Sequence, residues 1–301
     1  MHRNLAGPLM CTASWRCTAD GYTLCFNRDE ARSRAGEQAP RFFRRGGVEC
    51  VAPFDGAAGG TWIGVNEFGF AACLLNAYPD QGRTRPAAPR SGRLLSRGFL
   101  VLGLLDAESV GAARRRVEEG DLRWFQPFRM LACAPHEAPL LFAWDGRALS
   151  QRTLDAEAGL LSSSGWNDAA ANAARGALWN ERFAHHLPSE DDLLAFHCSH
   201  SVAGEPDATP ATGSGTSVCM HRADAATVSF ARLRVSARAV SLLYSPRSPC
   251  AGISGSALEL PRRHAHPEPG AGPAHSRLGH SERPRAGAGR PGPVRADLAA
   301  S

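Results

Sequence analysis

Hydrophobic positions in the first part of the chain occur in short runs with the spacing of β-strands. Residues 11–16 and 22–28 are two such runs, and Asp20-Gly21 between them is a dipeptide that favours a tight hairpin turn. The remaining predicted strands are residues 49–52, 61–65, 70–76, 128–134, 140–144, 147–153, 217–235 and 239–244. The pattern therefore predicts a fold with many strands joined by short turns.

Apolar residues at helical spacing occupy the segments between these groups of strands. They predict helices over residues 91–105, 107–119 and 168–187, and a further short helix that begins at Ser189. Strands and helices come in separate groups rather than in regular alternation. The sequence therefore predicts an α+β fold built of packed layers.

Composition excludes several classes of protein. The chain has 301 residues, of which 43% are hydrophobic, and this is enough for a sizeable core. Its longest apolar run, residues 98–105, is far shorter than the ~20 residues that span a bilayer, and the first ten residues lack an export signal. The nine cysteines form no C-x-x-C pair, which indicates reduced thiols. We therefore expect a cytoplasmic protein without a membrane span.

Positive charge is concentrated near the end of the chain. The formal net charge is +5, and residues 261–301 hold seven arginines against three acidic residues. A folded protein that binds nucleic acid would carry this charge on its own surface, so we expect no nucleic-acid partner. Residues 256–301 are rich in proline, glycine, arginine and histidine. We expect them to form a disordered tail, because they cannot bury enough apolar surface.

Cys11 is a candidate nucleophile. If the chain began at this residue, one amino acid would carry both a thiol and a free α-amine, which are a nucleophile and a base. With Asp20-Gly21 as the turn, Cys11 lies opposite Glu30, and Arg28 is its diagonal neighbour on the same face. A guanidinium there favours the thiolate, whereas Asp29 alternates to the other face unless the strand ends there. The residues alone leave open a second interpretation, a small core cysteine near a solvated strand end.

Several short motifs follow one another in a defined order. They are Met-Cys-Thr at residues 10–12, Phe-Asn-Arg-Asp-Glu at 26–30, Ala-Pro-Phe-Asp at 52–55, Gly-Gly-Thr-Trp-Ile-Gly-Val-Asn at 59–66, and Val-Cys-Met-His-Arg at 218–222. This order resembles the NRDE family, which includes the transport and Golgi organization protein 2 of animals. The resemblance extends from residue 10 to about residue 250, and its most specific part lies in the first seventy residues.

The resemblance implies a fold and an activity. The fold is the four-layer αββα sandwich of the N-terminal-nucleophile (Ntn) hydrolases, over residues 10–255, related to the choloylglycine hydrolases and penicillin V acylases. In that group the mature chain begins with cysteine, so residues 1–9 would be a dispensable leader or the product of a misassigned start. Translation from Met10 would expose the cysteine amine, because the initiator methionine is removed before a small residue. The implied function is a cysteine hydrolase that cleaves a non-peptide amide.

The resemblance also implies roles for individual residues. Arg28 matches the arginine on the strand next to the nucleophile, and Asp29 matches the aspartate that contacts the cysteine amine. Asn76 and Asn167 match the two asparagines of the oxyanion site, and Arg222 matches a late arginine. The implied partner is a small-molecule amide or a hydrophobic ligand, and no cofactor is required.

Two other functions are compatible with the sequence. Animal relatives are linked to secretory-pathway organisation and to haem or lipid handling, so a non-catalytic ligand-handling or trafficking protein on the same fold is an alternative. The other is a zinc site, for which the sequence offers five candidate ligands: His197, Cys198, His200, Cys219 and His221. Their spacing matches no standard structural zinc pattern, so we predict no bound metal.

Overall fold

Strands outnumber helices throughout the fold. A computed structural model describes residues 10–34, 36–78, 94–164, 168–201, 215–255 and 257–264. The strands are β1 (Met10–Thr18), β2 (Gly21–Ala31), β3 (Gln38–Arg45), β4 (Val48–Phe54), β5 (Ile63–Asn66), β6 (Ala71–Asn76), β7 (Phe128–Cys133), β8 (Leu140–Trp144), β9 (Leu149–Thr153), β10 (Ala158–Ser164), β11 (Ala225–Val235), β12 (Ala239–Ser245) and β13 (Ala257–Pro261). The α-helices are α1 (Gly98–Leu104), α2 (Val110–Glu119), α3 (Asp168–Phe183) and α4 (Glu190–Cys198). No helix in the described ranges is long and apolar enough to cross a membrane.

The strands form two antiparallel sheets. The first has the order β10-β1-β2-β11-β12-β13, and the second follows the chain from β3 to β9 as a meander. All eleven residues of β2 are buried, because β1 and β11 flank this strand and other layers cover both of its faces. The strand that carries Arg28 and Asp29 therefore lies in the interior of the protein.

Apolar side chains join the layers. Phe26 of the first sheet and Leu75 of the second belong to one buried cluster that fills the space between the sheets. Val117 of α2 and residues of α1 pack on the outer face of the second sheet. On the outer face of the first sheet, Leu193 of α4 packs against Phe230 of β11, and α3 packs against β10. The layers therefore follow the order helix, sheet, sheet, helix, and the predicted αββα sandwich is confirmed.

The turn between β1 and β2 differs from the predicted one. Its two residues are Ala19 and Asp20, whereas the sequence pattern predicted Asp20 and Gly21. Gly21 already belongs to β2, where a Cβ atom would lie 2.1 Å from the carbonyl oxygen of Val235 on β11. The glycine is therefore required by the close approach of a neighbouring strand.

This change of turn alters the pairing of the two strands by two residues. Cys11 lies directly opposite Arg28, not opposite Glu30 as predicted. A shift by two residues leaves every side chain on its original face of the sheet. The prediction that Cys11 and Arg28 share one face is therefore confirmed, and the two residues are closer than the predicted diagonal pair.

Three strands, β3, β10 and β13, were not predicted from the sequence. β3 is mostly exposed and carries charged residues, so its apolar pattern is weak. β13 pairs with β12, and residues 257–264 therefore belong to the fold rather than to the predicted tail. The predicted leader, residues 1–9, and the rest of the predicted tail, residue 256 and residues 265–301, lie outside the described residues.

Candidate active site

Cys11 lies near the start of β1, between two neighbouring strands. Its partners across the sheet are Arg28 on β2 and Ser163 on β10. The thiol is buried and lines a cavity of about 110 Å³. The charged and amide side chains on the cavity wall include Arg28, Glu30, Arg34, Asp55, Asn76 and Arg97. A thiol among so many polar groups differs from one that only fills space in a core.

The guanidinium of Arg28 lies among three carboxylates and one aromatic ring. Nη2 lies 2.9 Å from Oε2 of Glu30 and 3.5 Å from Oδ2 of Asp55. Nη1 lies 3.1 Å from Oε2 of Glu37, and Cζ lies 4.5 Å from the centre of the Trp62 ring. These contacts restrict the guanidinium to one position on the cavity wall, on the same side of β2 as the thiol.

Asp29 projects from the opposite face of β2. Its Oδ1 accepts a hydrogen bond of 2.5 Å from the hydroxyl of Thr227, and its Oδ2 lies 3.5 Å from Nη2 of Arg175. Among the described residues, Oδ2 accepts no hydrogen bond. Burial raises the pKa of Asp29 to about 7, although Arg175 and Thr227 act in the opposite direction. This carboxyl group therefore titrates near neutral pH and can accept a further hydrogen bond.

Arg175 of α3 joins the segments below the cavity. Its side chain is fully buried, and Nη1 donates to the hydroxyl of Thr12 at 2.8 Å and to the carbonyl oxygen of Cys11 at 3.3 Å. Nη2 donates to the carbonyl oxygen of Ser217 at 2.7 Å and forms the ion pair with Asp29. Arg175 thus fixes the backbone of the candidate nucleophile and neutralises the carboxylate next to it.

The Cys11 thiol is protonated at neutral pH in this arrangement. Burial raises the pKa of the thiol to about 12, and the Asp29 carboxylate acts in the same direction. The backbone amide of Asp29 and the guanidinium of Arg28 lower the pKa, but by less. The thiol therefore needs an adjacent base before it can act as a nucleophile.

The sequence model of one protein family matches this chain. The family is described as transport and Golgi organisation 2, and the match covers residues 10–198. The chain belongs to this family. The family resemblance predicted from the motifs at the start of the chain is therefore confirmed. No curated protein matches the sequence.

Several solved structures are similar to this member of the transport and Golgi organisation 2 family. An N-acylethanolamine-hydrolyzing acid amidase ortholog of Caenorhabditis elegans is 13% identical, with a TM-score of 0.49 over 83% of this chain and 100% of that chain. Penicillin V acylase from Agrobacterium tumefaciens is 12% identical, with a TM-score of 0.45 over 83% of this chain and 86% of that one. A mutant conjugated bile acid hydrolase from Clostridium perfringens is 10% identical, with a TM-score of 0.47 over 83% and 92%.

Of the two asparagines implied by the family resemblance, only one lies within the described residues. Asn76 is the last residue of β6 and lines the Cys11 cavity, and its Nδ2 lies 3.4 Å from the hydroxyl of Tyr78. Asn167 lies outside the described residues. Asn76 therefore is in a position to donate a hydrogen bond into the cavity.

Arg222, the predicted late arginine, does not line the cavity. The strand predicted over residues 217–235 begins only at Ala225, and Arg222 lies in the turn before it. Its Nη2 lies 2.6 Å from Oδ2 of Asp224, which stabilises that turn. The arginine that reaches Cys11 is instead Arg175, within the part of the chain that matches the transport and Golgi organisation 2 family.

Helical spacing was the sequence signal that could have identified Arg175. It lies four residues after Ala171 and three before Leu178, and all three are buried on the same side of α3. An arginine within the apolar side of an alanine-rich helix needs a partner in the core. Its partner, Asp29, lies far away in the sequence, so the pair is visible only in the folded protein.

Proposed function

We propose that this protein is an amidase in which Cys11, once it is the first residue of the mature chain, attacks the carbonyl carbon of a small-molecule amide. The observation that carries the proposal is the placement of the Cys11 thiol in a charged cavity, directly across the sheet from Arg28. The Asp29 carboxyl group next to it can accept one further hydrogen bond. The Cys11 amine produced by removal of the preceding residues is the missing base.

In the first half of the reaction, the amine of Cys11 accepts the proton of its own thiol. An α-amine has a reference pKa of about 7.7–8.0, so part of it is neutral at cellular pH. Asp29 accepts a hydrogen bond from this amine and orients it. The sulfur forms a bond with the substrate carbonyl carbon, and the π electrons of the carbonyl group move to its oxygen.

The second half releases the products. Collapse of the tetrahedral intermediate breaks the C–N bond, and the leaving amine takes a proton from the Cys11 ammonium group. Water then attacks the thioester, which releases the carboxylic acid and restores the thiol. Asn76 and Asn167 are the proposed donors to the oxyanion, and one such donor is worth about 10²–10³ in rate. Arg28 stabilises the thiolate.

Arg97 is a proposed substrate-binding residue. It lies on the cavity wall just before α1, and its Nη1 donates a hydrogen bond of 2.8 Å to the carbonyl oxygen of Pro127. Burial lowers the pKa of Arg97, and no carboxylate of the described residues lies within 4.0 Å of its guanidinium. A carbonyl or carboxylate group of a substrate would satisfy its remaining donors. A substrate with an acyl carbonyl near an anionic group fits this wall best.

The test compares two forms of the protein on a panel of fluorogenic aryl amides with different acyl groups, half of which carry a carboxylate. One form is expressed from Met10, so that removal of the methionine leaves Cys11 first, and the other retains residues 1–9. We expect amine release only from the form with a free Cys11 amine, and Edman sequencing verifies each terminus. Full activity of a Cys11→Ala variant on the same panel would refute the proposal that Cys11 is the nucleophile. Turnover by the form that retains residues 1–9, with those residues still attached, would refute the role of the amine.

A further inference from the structure

Four side chains with metal-binding atoms meet on the outer side of the first sheet, apart from the Cys11 cavity. They are His200, Cys219, His221 and Cys250, and their ligating atoms all lie within 4.8 Å of one another. We propose that this His₂Cys₂ cluster binds a structural zinc ion. The proposal is independent of the amidase function, because it makes no use of Cys11.

The distances within the cluster fit a tetrahedral ion. Nε2 of His221 lies 3.5 Å from Sγ of Cys219 and 3.3 Å from Sγ of Cys250. With Zn–S bonds of about 2.3 Å and Zn–N bonds of about 2.1 Å, a tetrahedral site places sulfur and nitrogen about 3.6 Å apart. The rings of His200 and His221 have their centres 5.1 Å apart and are tilted by 50°. The two sulfur–nitrogen distances are therefore close to those of a tetrahedral zinc site, and every other pair of ligand atoms lies within 4.8 Å.

The type and number of ligands select zinc and a structural role. Two thiolates with two imidazoles bind zinc, whereas magnesium and calcium require oxygen ligands. Four protein ligands leave no open position for water or substrate, and such closed sites are structural. His200 and Cys219 are buried, whereas His221 and Cys250 are half-buried, so an ion can enter from the surface.

The cluster joins three segments that are far apart in the sequence. His200 follows α4, Cys219 and His221 precede β11, and Cys250 lies in a one-turn 3₁₀ helix, Pro249–Ala251. The backbone amide of Cys219 also donates a hydrogen bond of 2.9 Å to the carbonyl oxygen of Ser199. Zinc would therefore cross-link three segments of the chain and stabilise them against local unfolding.

The residues on either side of Cys219 also contact the candidate active site. Two residues before Cys219, the carbonyl oxygen of Ser217 accepts the hydrogen bond from Arg175. One residue after Cys219, the amide of Met220 donates a hydrogen bond of 2.9 Å to the hydroxyl of Thr227. That hydroxyl in turn donates a hydrogen bond to Asp29. A zinc ion at the cluster would therefore hold the carbonyl oxygen that accepts from Arg175 and the amide that orients the Thr227 hydroxyl, the donor to Asp29.

Two of the five candidate ligands from the sequence do not belong to the cluster, and one further residue joins it. His197 points into the core, where its Nε2 lies 2.8 Å from the hydroxyl of Ser14, and burial lowers its pKa to about 3. Cys198 does not belong to the cluster. Cys250 takes part instead, 29 residues after His221, at a distance that no sequence pattern for zinc would include.

The test measures metal in the full-length protein after expression with added zinc and purification without chelators. We expect about one zinc per chain in wild type and in Cys198→Ser, and less than about 0.2 per chain in Cys219→Ser and His221→Ala. The half-buried Cys198 is the matched control, since it is a neighbour of Cys250 outside the cluster. All variants keep the histidines of residues 264–280, so zinc bound there cancels in the comparison.

A second readout covers the case in which a ligand variant fails to fold. Wild-type protein stripped of metal is titrated with Co²⁺, and we expect the visible d–d bands and the thiolate charge-transfer band of a tetrahedral site with two thiolates. Wild type without stoichiometric zinc and without these bands overturns the proposal. So does equal loss of zinc in Cys198→Ser, or an intact mass that shows a disulfide between Cys219 and Cys250 in freshly purified protein.

Discussion

Cys11 and Cys73 are both buried cysteines of the same apolar cluster between the sheets, yet their surroundings differ. Cys11 shares a cavity with several charged side chains, including Arg28 and Arg97. Cys73 lies in the middle of β6, opposite Ile63 and Leu131. Burial raises its pKa, and among the described residues a backbone hydrogen bond with Leu131, not a charged group, acts in the opposite direction. Burial therefore does not distinguish the proposed nucleophile from a thiol that only packs, because both are buried. The difference lies in the polar groups within reach of the sulfur.

Cys219 extends this comparison to a third kind of surroundings. Its neighbours are two imidazoles and a second thiol rather than guanidinium and carboxylate groups. Cations nearby favour a free thiolate that can attack a substrate, whereas imidazole and thiol neighbours supply a set of ligands for one shared ion. Three cysteines of one chain thus have three different expected chemistries.

The strongest test of this comparison removes the proposed nucleophile. On the substrate identified from the amide panel, Cys11→Ser should lower kcat/KM by roughly 10⁴-fold or more, because loss of a nucleophile removes the covalent route. The matched control is Cys17→Ser, which changes a half-buried cysteine at the other end of β1. Steady-state kinetics measures both variants. An equal loss of activity in Cys17→Ser would remove the distinction between Cys11 and other thiols.

The next largest effect concerns the buried charge pair below Cys11. Arg175→Met should lower the free energy of unfolding by about 3–5 kcal/mol, because it leaves the Asp29 carboxylate buried without its cation. Urea denaturation measures the change. Addition of Asp29→Asn to the same chain should recover part of this loss, since the neutral amide does not need a counter-ion. No recovery in the double variant would mean that Arg175 acts through its backbone acceptors alone.

The pH dependence of stability should show opposite effects for two buried groups. The pKa of Asp29 is raised to about 7, so the folded state keeps a proton that the unfolded state has already lost between pH 4 and pH 7. This group therefore destabilises the fold as pH rises through that window. The pKa of His197 is lowered to about 3, so between pH 3 and pH 6.5 only the unfolded state binds its proton. That group stabilises the fold as pH rises.

Single substitutions separate these two contributions. Relative to wild type, the slope of unfolding free energy against pH between pH 4.5 and 6.5 should become more positive in Asp29→Asn and more negative in His197→Gln. Each change is at most about 1.4 kcal/mol per pH unit, the value for one proton. Urea denaturation at several pH values measures both slopes. Slopes that change in the same direction in the two variants would contradict this account.

The smallest expected effect is that of Arg97, which tests whether the cavity wall recognises an anionic substrate. Arg97→Gln should raise KM by about 10-fold for amides that carry a carboxylate, because a charge-assisted hydrogen bond is lost. The change for neutral amides should be smaller, and kcat should change little. The matched control is Arg123→Gln, which removes an exposed arginine whose partner is Asp121. A KM that rises equally for neutral and anionic amides would exclude charge recognition by Arg97.

Local patterns in the sequence determined most of the secondary structure, the fold class and the family of this protein. Alternating and helical hydrophobic positions predicted most strands and the α+β class, because the period of burial is a property of the backbone alone. Motifs close together in sequence, such as residues 26–30, identified the family and the side of the sheet shared by Cys11 and Arg28. β3, β10 and β13 were missed. β3 and β13 are mostly exposed edge strands without a complete apolar pattern.

Only the tertiary structure decided which distant residues complete the candidate active site and the His₂Cys₂ cluster. Arg175 reaches Asp29 from another layer, and Cys250 reaches His221 across 29 residues. Such contacts depend on how helices and turns pack on the first sheet, and sequence spacing carries no information about that packing. The sequence alone thus determined the elements and the candidate nucleophile. The packing of layers decided which buried charges and ligands face each other, because burial forces polar groups to find partners wherever the chain brings them.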